Sequence, residues 1–227
     1  MIEELKTNFG LSEESIDALV KCLTREEFSK HDYLFYEGHR CNDYFFIEQG
    51  VARMGYLDEK KNFITLWFMQ ENDFASSLRG FIPVKRGRKS KKQCACQLVC
   101  QFLSRRASAY RLSHENMLKL TAEYPEISQL IMQISFKTTT DALSVIREVK
   151  RPLKEKLIDF MRDKSDIMVR IPGYHLADYL GVAPEVLSRL KTALKQEKNP
   201  EIRKVARLKK RWRNLKDSQK DISNLAM

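Results

Sequence analysis

The stretch GYHLADYLGVAPEVLSRLKTAL, residues 173–194, restricts the fold more than any other part of the chain. Its apolar residues fall into two groups, each spaced by threes and fours as on one face of an α-helix. The first group is Leu176, Ala177 and Leu180, and the second is Leu187, Leu190 and Leu194. We therefore expect two short helices whose apolar faces pack together, with the small Ala177 at the point where they cross closely.

A glycine and a proline separate the two groups. Gly181 permits the positive φ of a tight turn, where a Cβ atom would be costly, and Pro184 suits the first position of the second helix. Val182 is expected to fill the corner between the helices. The pattern is that of a helix-turn-helix, although an ordinary helical hairpin in a bundle has the same spacing.

The outward face of the second helix carries polar and charged residues. They are Glu185, Ser188, Arg189, Thr192 and Lys195, with Lys191 beside them. A glutamate accepts a hydrogen bond from cytosine N4 and an arginine donates two to guanine, so Glu185 and Arg189 are chemically suited to read bases. Lys191 is expected near backbone phosphates, which carry no sequence information. The alternative is a surface ion pair between Glu185 and Arg189, which are four residues apart.

Basic charge is concentrated in two parts of the chain, whose formal net charge is +11. Residues 85–92 (KRGRKSKK) carry six basic and no acidic side chains, and residues 198–216 carry nine basic and one acidic. Such patches attract a polyanion, and double-stranded DNA is the partner that we expect first. An anionic membrane surface and plain solvated loops are the alternatives.

Residues 28–112 predict a mostly antiparallel β domain, because short aromatic and β-branched runs alternate there with Gly, Asn and Asp. An amphipathic helix over residues 11–24 precedes this domain. Helical spacing returns from residue 124, with a second amphipathic helix over residues 153–163, and residues 167–173 (IMVRIPG) look like a short strand and turn.

The helix that begins near residue 124 has a seam of residues at coiled-coil spacing. The seam consists of Ile127, Ile131, Ile134, Thr138, Ala142 and Val145. A helix of this length between two domains favours a pair with the same helix of a second copy, so we expect a homodimer. One long helix packed on its own domain is the alternative.

These elements predict four parts of the chain: a β domain (1–122), a dimerisation helix (123–150), a helix-turn-helix domain (151–197) and a basic tail (198–227). Apolar residues of the tail also recur at threes and fours, namely Ile202, Val205, Leu208, Trp212 and Leu215. We expect a tail helix that docks this stripe on the helix-turn-helix domain and offers its basic face to DNA phosphates.

Four stretches together resemble the Crp/Fnr family of bacterial transcription regulators, over residues 10–197. They are DYLFYEGHRCNDYFFIEQGVARMGYL, NDFASSLRGFI, YRLSHENMLKL and IPGYHLADYLGVAPEVLSRLK. The resemblance implies an α+β protein with an N-terminal antiparallel β-roll, which is a cupin-like double-stranded β-helix similar to cyclic-nucleotide-binding domains. A dimerisation helix and a C-terminal winged helix-turn-helix are implied to follow it. The resemblance also implies that a homodimer reads an inverted repeat through Glu185 and Arg189, with RNA polymerase as a further partner.

The sequence departs from this family in two places. Members that bind cyclic nucleotides carry a Phe-Gly-Glu signature and then an arginine followed by a small residue, whereas the corresponding stretch NDFASSLRGF lacks the Gly-Glu pair. Arg79 or a lysine after it is a candidate for an anion contact, but the effector is unknown. Many members also carry an arginine where this chain has Pro184, so the preferred base sequence should differ.

The cysteines indicate a reducing compartment, because their number, five, is odd and they form no disulfide-scaffold pattern. Together with the lack of a signal peptide and of a membrane-spanning run, they predict a cytoplasmic protein. Cys94, Cys96 and Cys100 lack the paired spacing of a zinc site, so we interpret them as core residues, with metal or redox sensing as the alternative. We expect no cofactor and no metal.

Nothing in the sequence indicates an enzyme. The four histidines, His31, His39, His114 and His175, are scattered, and no phosphate loop or paired-carboxylate motif is present. The sequence therefore predicts a sequence-specific DNA-binding transcription regulator. The alternative is a ligand-binding or redox- or metal-sensing module with the same β fold and no role on DNA.

Because the Gly-Glu pair is absent, we predict that cyclic AMP does not bind specifically. Isothermal titration calorimetry of the purified chain with cyclic AMP measures this directly, and we expect only heats of dilution. A saturable binding heat would show that this sequence holds the nucleotide by residues outside the family signature.

Overall fold

The structure, a computed structural model, describes residues 10–39, 41–77, 96 and 98–225, of which 215–225 are described by their backbone. The chain divides into two compact units, Met1–Ile146 and Arg147–Met227. Arg79, Cys94 and the basic stretch 85–92 lie outside the described residues. What the sequence suggests for these positions is still a prediction.

The described part of the first unit contains two four-stranded antiparallel sheets. Its strands are β1 (Leu23–Ser29), β2 (Tyr33–Phe35), β3 (Tyr44–Gln49), β4 (Ala52–Leu57), β5 (Phe63–Met69), β6 (Phe74–Ser76), β7 (Val99–Phe102) and β8 (Arg106–Leu112). One sheet has the order β1-β8-β3-β6 and the other the order β2-β7-β4-β5. All pairings are antiparallel, so the predicted antiparallel β domain is confirmed.

Strands of both sheets contribute to one apolar core. Ile47, Met54, Phe102 and Ala109 are among its fully buried members. Gly50, between β3 and β4, has a φ of +114°, and a Cβ atom there would lie 2.8 Å from the Cβ of Ala107. Only glycine tolerates that backbone conformation together with such a close approach, which explains the glycine at this turn.

A carboxylate connects three strands of the first sheet. Glu48 of β3 accepts hydrogen bonds from the Ser108 hydroxyl (2.6 Å) and the Tyr110 hydroxyl (2.9 Å), both of β8. It also accepts one from Arg25 Nε of β1, at 2.7 Å. The Ser108 hydrogen bond is the largest cause that lowers the pKa of Glu48 below its usual value.

Helices α1 (Glu13–Cys22), α2 (His114–Glu123) and α3 (Pro125–Glu148) pack on the outside of this unit's sheets. The Ser12 side chain caps α1 by accepting from the Ser15 N–H. The prediction of a helix over 11–24 was too long, because Leu23 and Thr24 already pair with β8 as the start of β1. α3 ends four residues before Pro152, which precedes the next helix.

The second unit contains helices and no strand within residues 147–225. The helices are α4 (Leu153–Asp163), α5 (Ser165–Arg170), α6 (Gly173–Leu180), α7 (Pro184–Gln196) and α8 (Pro200–Leu225). α8 packs against α4, α5 and α7, and α6 packs against α4 and α7. No described helix is both long and apolar enough to cross a bilayer.

Two expectations for the second unit are wrong. The run IMVRIPG does not form a strand, because its first residues belong to α5, which buries Ile167 and Val169 and packs against α8. A short apolar run is compatible with a strand or with a buried helix. The sequence alone does not show that α8 packs against this segment, and that packing decides between the two. The wing implied by the family resemblance is also absent from residues 147–225, where the chain after α7 forms α8 instead of a hairpin.

Candidate nucleic-acid interface

The turn between α6 and α7 is a helix C-cap. Gly181 lies in the left-handed region, with φ 69° and ψ 34°. Its N–H donates to the Asp178 carbonyl (3.0 Å), and the Val182 N–H donates to the Ala177 carbonyl (3.0 Å). This pair of bonds is a Schellman motif, which ends α6 and turns the chain into α7 within three residues. The turn predicted at Gly181 is confirmed.

The apolar residues predicted for this pair of helices lie inside the second unit. Leu176, Ala177 and Leu180 of α6 and Leu187 and Leu194 of α7 are buried, and Leu190 is half-buried. The predicted helix pair is therefore confirmed. The burial of Leu187 and Leu194 also determines which side of α7 is exposed.

The exposed side of α7 carries the residues predicted to contact bases. Glu185, Ser188, Arg189, Thr192 and Lys195 are all exposed. The alternative, an ion pair between Glu185 and Arg189, does not form, and neither side chain pairs with any residue in the part of the chain that the structure describes. Both groups thus have unused hydrogen-bonding capacity, as a base-reading side chain requires.

Sequence reasoning missed one residue of this surface. Val186, in the first turn of α7, is 42% exposed. An exposed apolar group beside Glu185 and Arg189 is suited to contact the methyl group of thymine. The signal was available, since Val186 falls outside the apolar repeat that contains Leu187, Leu190 and Leu194.

Lys191 lies at the boundary between α7 and α8 and not on the exposed face. Its side chain is half-buried, and burial followed by the nearby Lys209 ammonium lowers the pKa of Lys191 below its usual value. The structure describes no ion pair or hydrogen bond of the Lys191 ammonium. Two cations therefore lie close together where α7 meets α8.

The residues predicted for the dimer seam do not share one environment. Ile127 and Ile134 are buried in the core of their own unit, where they pack with α1 and α2, and Ile131 packs against the same cluster. Thr138 and Val145 are half-buried, and Ala142 is exposed. Ile127 and Ile134 are not available to a second chain, so their assignment to the seam is wrong.

A different stripe of α3 is exposed. It consists of Met132 (51% exposed), Phe136 (64%), Leu143 (57%) and Ile146 (68%), and we call it the outer stripe. At about 100° per residue, the outer stripe lies about 140° around the helix from Ile127 and Ile134. α3 thus has two apolar faces, one used by its own unit and one exposed to solvent in the single chain.

Three described cysteines of the β domain are core residues. Cys41, Cys96 and Cys100 are buried in the core between the sheets. Burial is the main cause that raises the pKa of Cys41 to about 12, and it also raises the pKa of Cys96 and of Cys100. Because the thiolate is the reactive form, these thiols are poorly suited to redox sensing. Among the described residues, no group of three or more His, Cys, Asp or Glu is placed to hold a metal ion.

The described part of the first unit also has an apolar cavity between its helices and the first sheet. It is lined by Leu19, Leu23, Tyr44, Phe45, Phe46, Phe74, Tyr110, Leu112, Ile127, Leu130, Ile131 and Ile134. None of these side chains is cationic, so the cavity has nothing to pair with the phosphate of a cyclic nucleotide. It is a poor candidate for the effector site of a cyclic-nucleotide-binding protein.

Comparison with known proteins relates this geometry to one fold. No family model and no curated protein matches the sequence. Solved structures do match, including a protein from Eubacterium rectale that is assigned to the Crp/Fnr family of transcriptional regulators. This match has a TM-score of 0.60 and 13% identity and covers 83% of this chain and 85% of the other.

Two further matches are of similar quality. The cyclic-di-GMP-responsive global regulator CLP of Xanthomonas campestris has a TM-score of 0.62 and 13% identity, over 82% of this chain and 93% of CLP. A cyclic nucleotide-binding domain containing protein from Listeria monocytogenes has a TM-score of 0.61 and 15% identity, over 86% of this chain and 91% of the other. At such identities the likeness shows the fold. It confirms the α+β fold and the predicted resemblance to Crp/Fnr regulators over most of the chain.

Proposed function

We propose that the chain is a transcription regulator of the Crp/Fnr type that recognises a specific sequence of double-stranded DNA through α7. The observation that carries this proposal is the exposed face of α7, on which Glu185 and Arg189 project without ion pairs in the described part of the chain. The Schellman turn at Gly181 and the burial of Leu187 and Leu194 hold this face in position. Two of the structurally similar proteins, from Eubacterium rectale and Xanthomonas campestris, are described as regulators, which supports the same function.

Each residue of this face has a chemical role in the proposal. Arg189 donates two hydrogen bonds to guanine, and Glu185 accepts from the amino group of cytosine. Ser188 and Lys195 contact bases or phosphates at the sides of the groove. The Thr192 hydroxyl donates to the Ser188 carbonyl (3.1 Å), so its methyl group is the part available to a base. No step of this function is catalytic.

The regulator acts as a homodimer in this proposal, and the outer stripe of α3 is the surface that pairs. Four large apolar side chains on one helix are costly to leave in water, and their three-and-four spacing suits the same helix of a second copy. Two copies of α7 related by a two-fold axis would then read an inverted repeat. Such a regulator works in the cytoplasm, with RNA polymerase as its further partner and with an effector whose identity is unknown.

The alternative, a sensing module with no role on DNA, has less support. The buried thiols and the uncharged cavity favour neither redox sensing nor cyclic-nucleotide binding. This alternative also does not explain why Glu185 and Arg189 of α7 are exposed without ion pairs.

Replacing Arg189 tests the base contact. We predict that Arg189→Ala costs about 1–3 kcal/mol of binding free energy on the duplex that the wild-type chain enriches from a random-sequence pool. On a scrambled duplex of the same length the loss should be small. Fluorescence anisotropy titrations with both duplexes at one fixed salt concentration give the two values.

Two further variants complete this test. Glu185→Ala should relax discrimination at a neighbouring base pair, because it removes an acceptor that selects cytosine. Lys191→Ala is the matched control from the same helix, and it should weaken binding to both duplexes equally, as expected for a phosphate contact. If Arg189→Ala also weakens binding to both duplexes equally, α7 does not read bases through this arginine.

Replacing two residues of the outer stripe tests the dimer. We predict that Phe136→Asp combined with Leu143→Asp yields monomers where the wild-type chain is a dimer, because pairing would bury unpaired carboxylates. Sedimentation velocity measures the mass of both proteins. Gln133→Asp combined with Ser144→Asp is the control, since it adds two carboxylates to exposed positions of the same helix outside the stripe. A dimeric Phe136→Asp, Leu143→Asp variant, or a monomeric wild type, would contradict the assignment.

A further inference from the structure

The exposed side of α8 is a strongly basic surface that the recognition of bases by α7 does not explain. Between residues 203 and 213 the helix carries seven basic and no acidic side chains. They are Arg203, Lys204, Arg207, Lys209, Lys210, Arg211 and Arg213. All seven are exposed. Like charges three and four residues apart slightly destabilise a helix, so an anion bound there would relieve this repulsion.

Three basic residues at or within α4, in the same unit, pair with carboxylates, whereas Lys156 of α4 forms no ion pair in the described part of the chain. Arg151, just before α4, pairs with Glu148 at 2.8 Å and also with Asp159. Arg162 pairs with Asp163 at 2.9 Å, and Lys154 pairs with Glu197 at 2.8 Å.

The seven basic side chains of α8 contrast with this pattern, because none of them forms an ion pair with a carboxylate in the described part of the chain. The Lys204 ammonium donates to the Arg162 carbonyl at 3.1 Å, which leaves its charge unneutralised. Seven unpaired cations are therefore gathered on one helix of this unit.

Three of these residues form a ridge. Val205 is buried against the rest of the unit. At about 100° per residue, Arg203, Arg207 and Lys210 lie within about 40° of the opposite side of the helix, and we call them the basic ridge. Arg203 and Arg207 also line a concavity together with Pro200, Lys204 and Leu208. Arg203 and Arg207 of the ridge are therefore neighbours at a concave part of the surface that a phosphate group could contact.

The surface of α8 adjoins α7. Lys209 of α8 lies close enough to the half-buried Lys191 of α7 to lower its pKa, after the larger effect of burial. A phosphate at this boundary would relieve the repulsion between the two ammonium groups. Lys209 therefore places one cation of α8 beside α7.

We propose that the basic ridge of α8 binds the phosphate backbone of duplex DNA beside the sequence that α7 reads. This inference rests on the proposed function, since it takes its position on the DNA from α7. The ridge supplies affinity and register without base specificity, because phosphates are the same in every sequence. The ridge gives this unit a contact with the DNA backbone outside the helix-turn-helix. A wing would be another source of such a contact, but residues 147–225 contain no strands.

A membrane surface fits α8 less well than DNA. A helix that lies on a membrane inserts an exposed apolar face between the lipids. The apolar face of α8 is already used, because Val205 is buried and Ile202, Leu208 and Trp212 are half-buried within the unit. What α8 offers to solvent is charge, which suits a polyanion and not the interior of a bilayer.

Neutralising the ridge tests the proposal. The ridge variant is Arg203→Gln with Arg207→Gln and Lys210→Gln in the full-length chain, and glutamine preserves helix propensity. Its affinity should fall by the same factor for the enriched duplex and for the scrambled duplex. The slope of log affinity against log salt, measured between about 50 and 200 mM salt, should fall by about one to three units per bound chain. Circular dichroism checks that the variant is folded.

Two control variants separate the ridge from charge in general. Arg203→Lys with Arg207→Lys and Lys210→Arg keeps the charge and should keep the wild-type slope. Lys21→Gln with Lys30→Gln and Lys60→Gln removes three exposed charges from the first unit and should also keep it. A wild-type slope in the ridge variant would overturn the proposal, as would an equal fall in the first-unit control.

Vesicles and the Arg189→Ala variant distinguish the remaining outcomes. If the ridge variant loses binding to anionic phospholipid vesicles but keeps its DNA affinity, the proposal is overturned in favour of a membrane surface. If the ridge variant lowers the slope while Arg189→Ala leaves discrimination intact, the ridge is supported and the proposed base reading fails. If Arg189→Ala removes discrimination and the ridge variant changes nothing, the proposed function stands and the ridge fails.

Discussion

The burial of one side of α7 determines how the second unit presents its charges. Leu187 and Leu194 are 2% and 0% exposed, and burying two leucines contributes several kcal/mol of stability, at about 1.5–3 kcal/mol each. Rotating α7 about its axis would expose both leucines, so the opposite side must face solvent. Glu185 and Arg189 are on that side, and this constraint makes α7 a rigid support for polar contacts.

In the first unit, burial of one face of α3 also determines which face is exposed, but here the exposed face is apolar. One face of α3 supplies Ile127, Leu130 and Ile134 to the core of its own unit. The other face, the outer stripe, is exposed in the single chain. Symmetric pairing through α3 would cover this stripe and would give an assembly with two second units. The proposed dimer and the proposed DNA reading thus depend on different helices, and reading of an inverted repeat requires both.

The sequence predicted best those features that depend on neighbouring residues. The α6–α7 pair was predictable because Gly181 and the leucine spacing act within a few residues of each other. The face of α3 that is free to pair with a second copy was not predictable, because both apolar faces of α3 have three-and-four spacing. Only the packing of α3 against α1 and α2 shows which face points into its own unit. The helix at Ser165–Arg170 was missed for a similar reason, since α8 packs against it from more than thirty residues along the chain. The unpaired state of Glu185 and Arg189 also required the structure, because their spacing suits an ion pair.

The most direct test of the central claim is selection of bound duplexes from a random-sequence DNA pool, followed by sequencing. Two copies of α7 on a two-fold axis predict enrichment of an inverted repeat whose half-sites are centred about 34 Å, one helical turn, apart. A single unsymmetrical site, a direct repeat, or no enrichment over the starting pool would contradict the account.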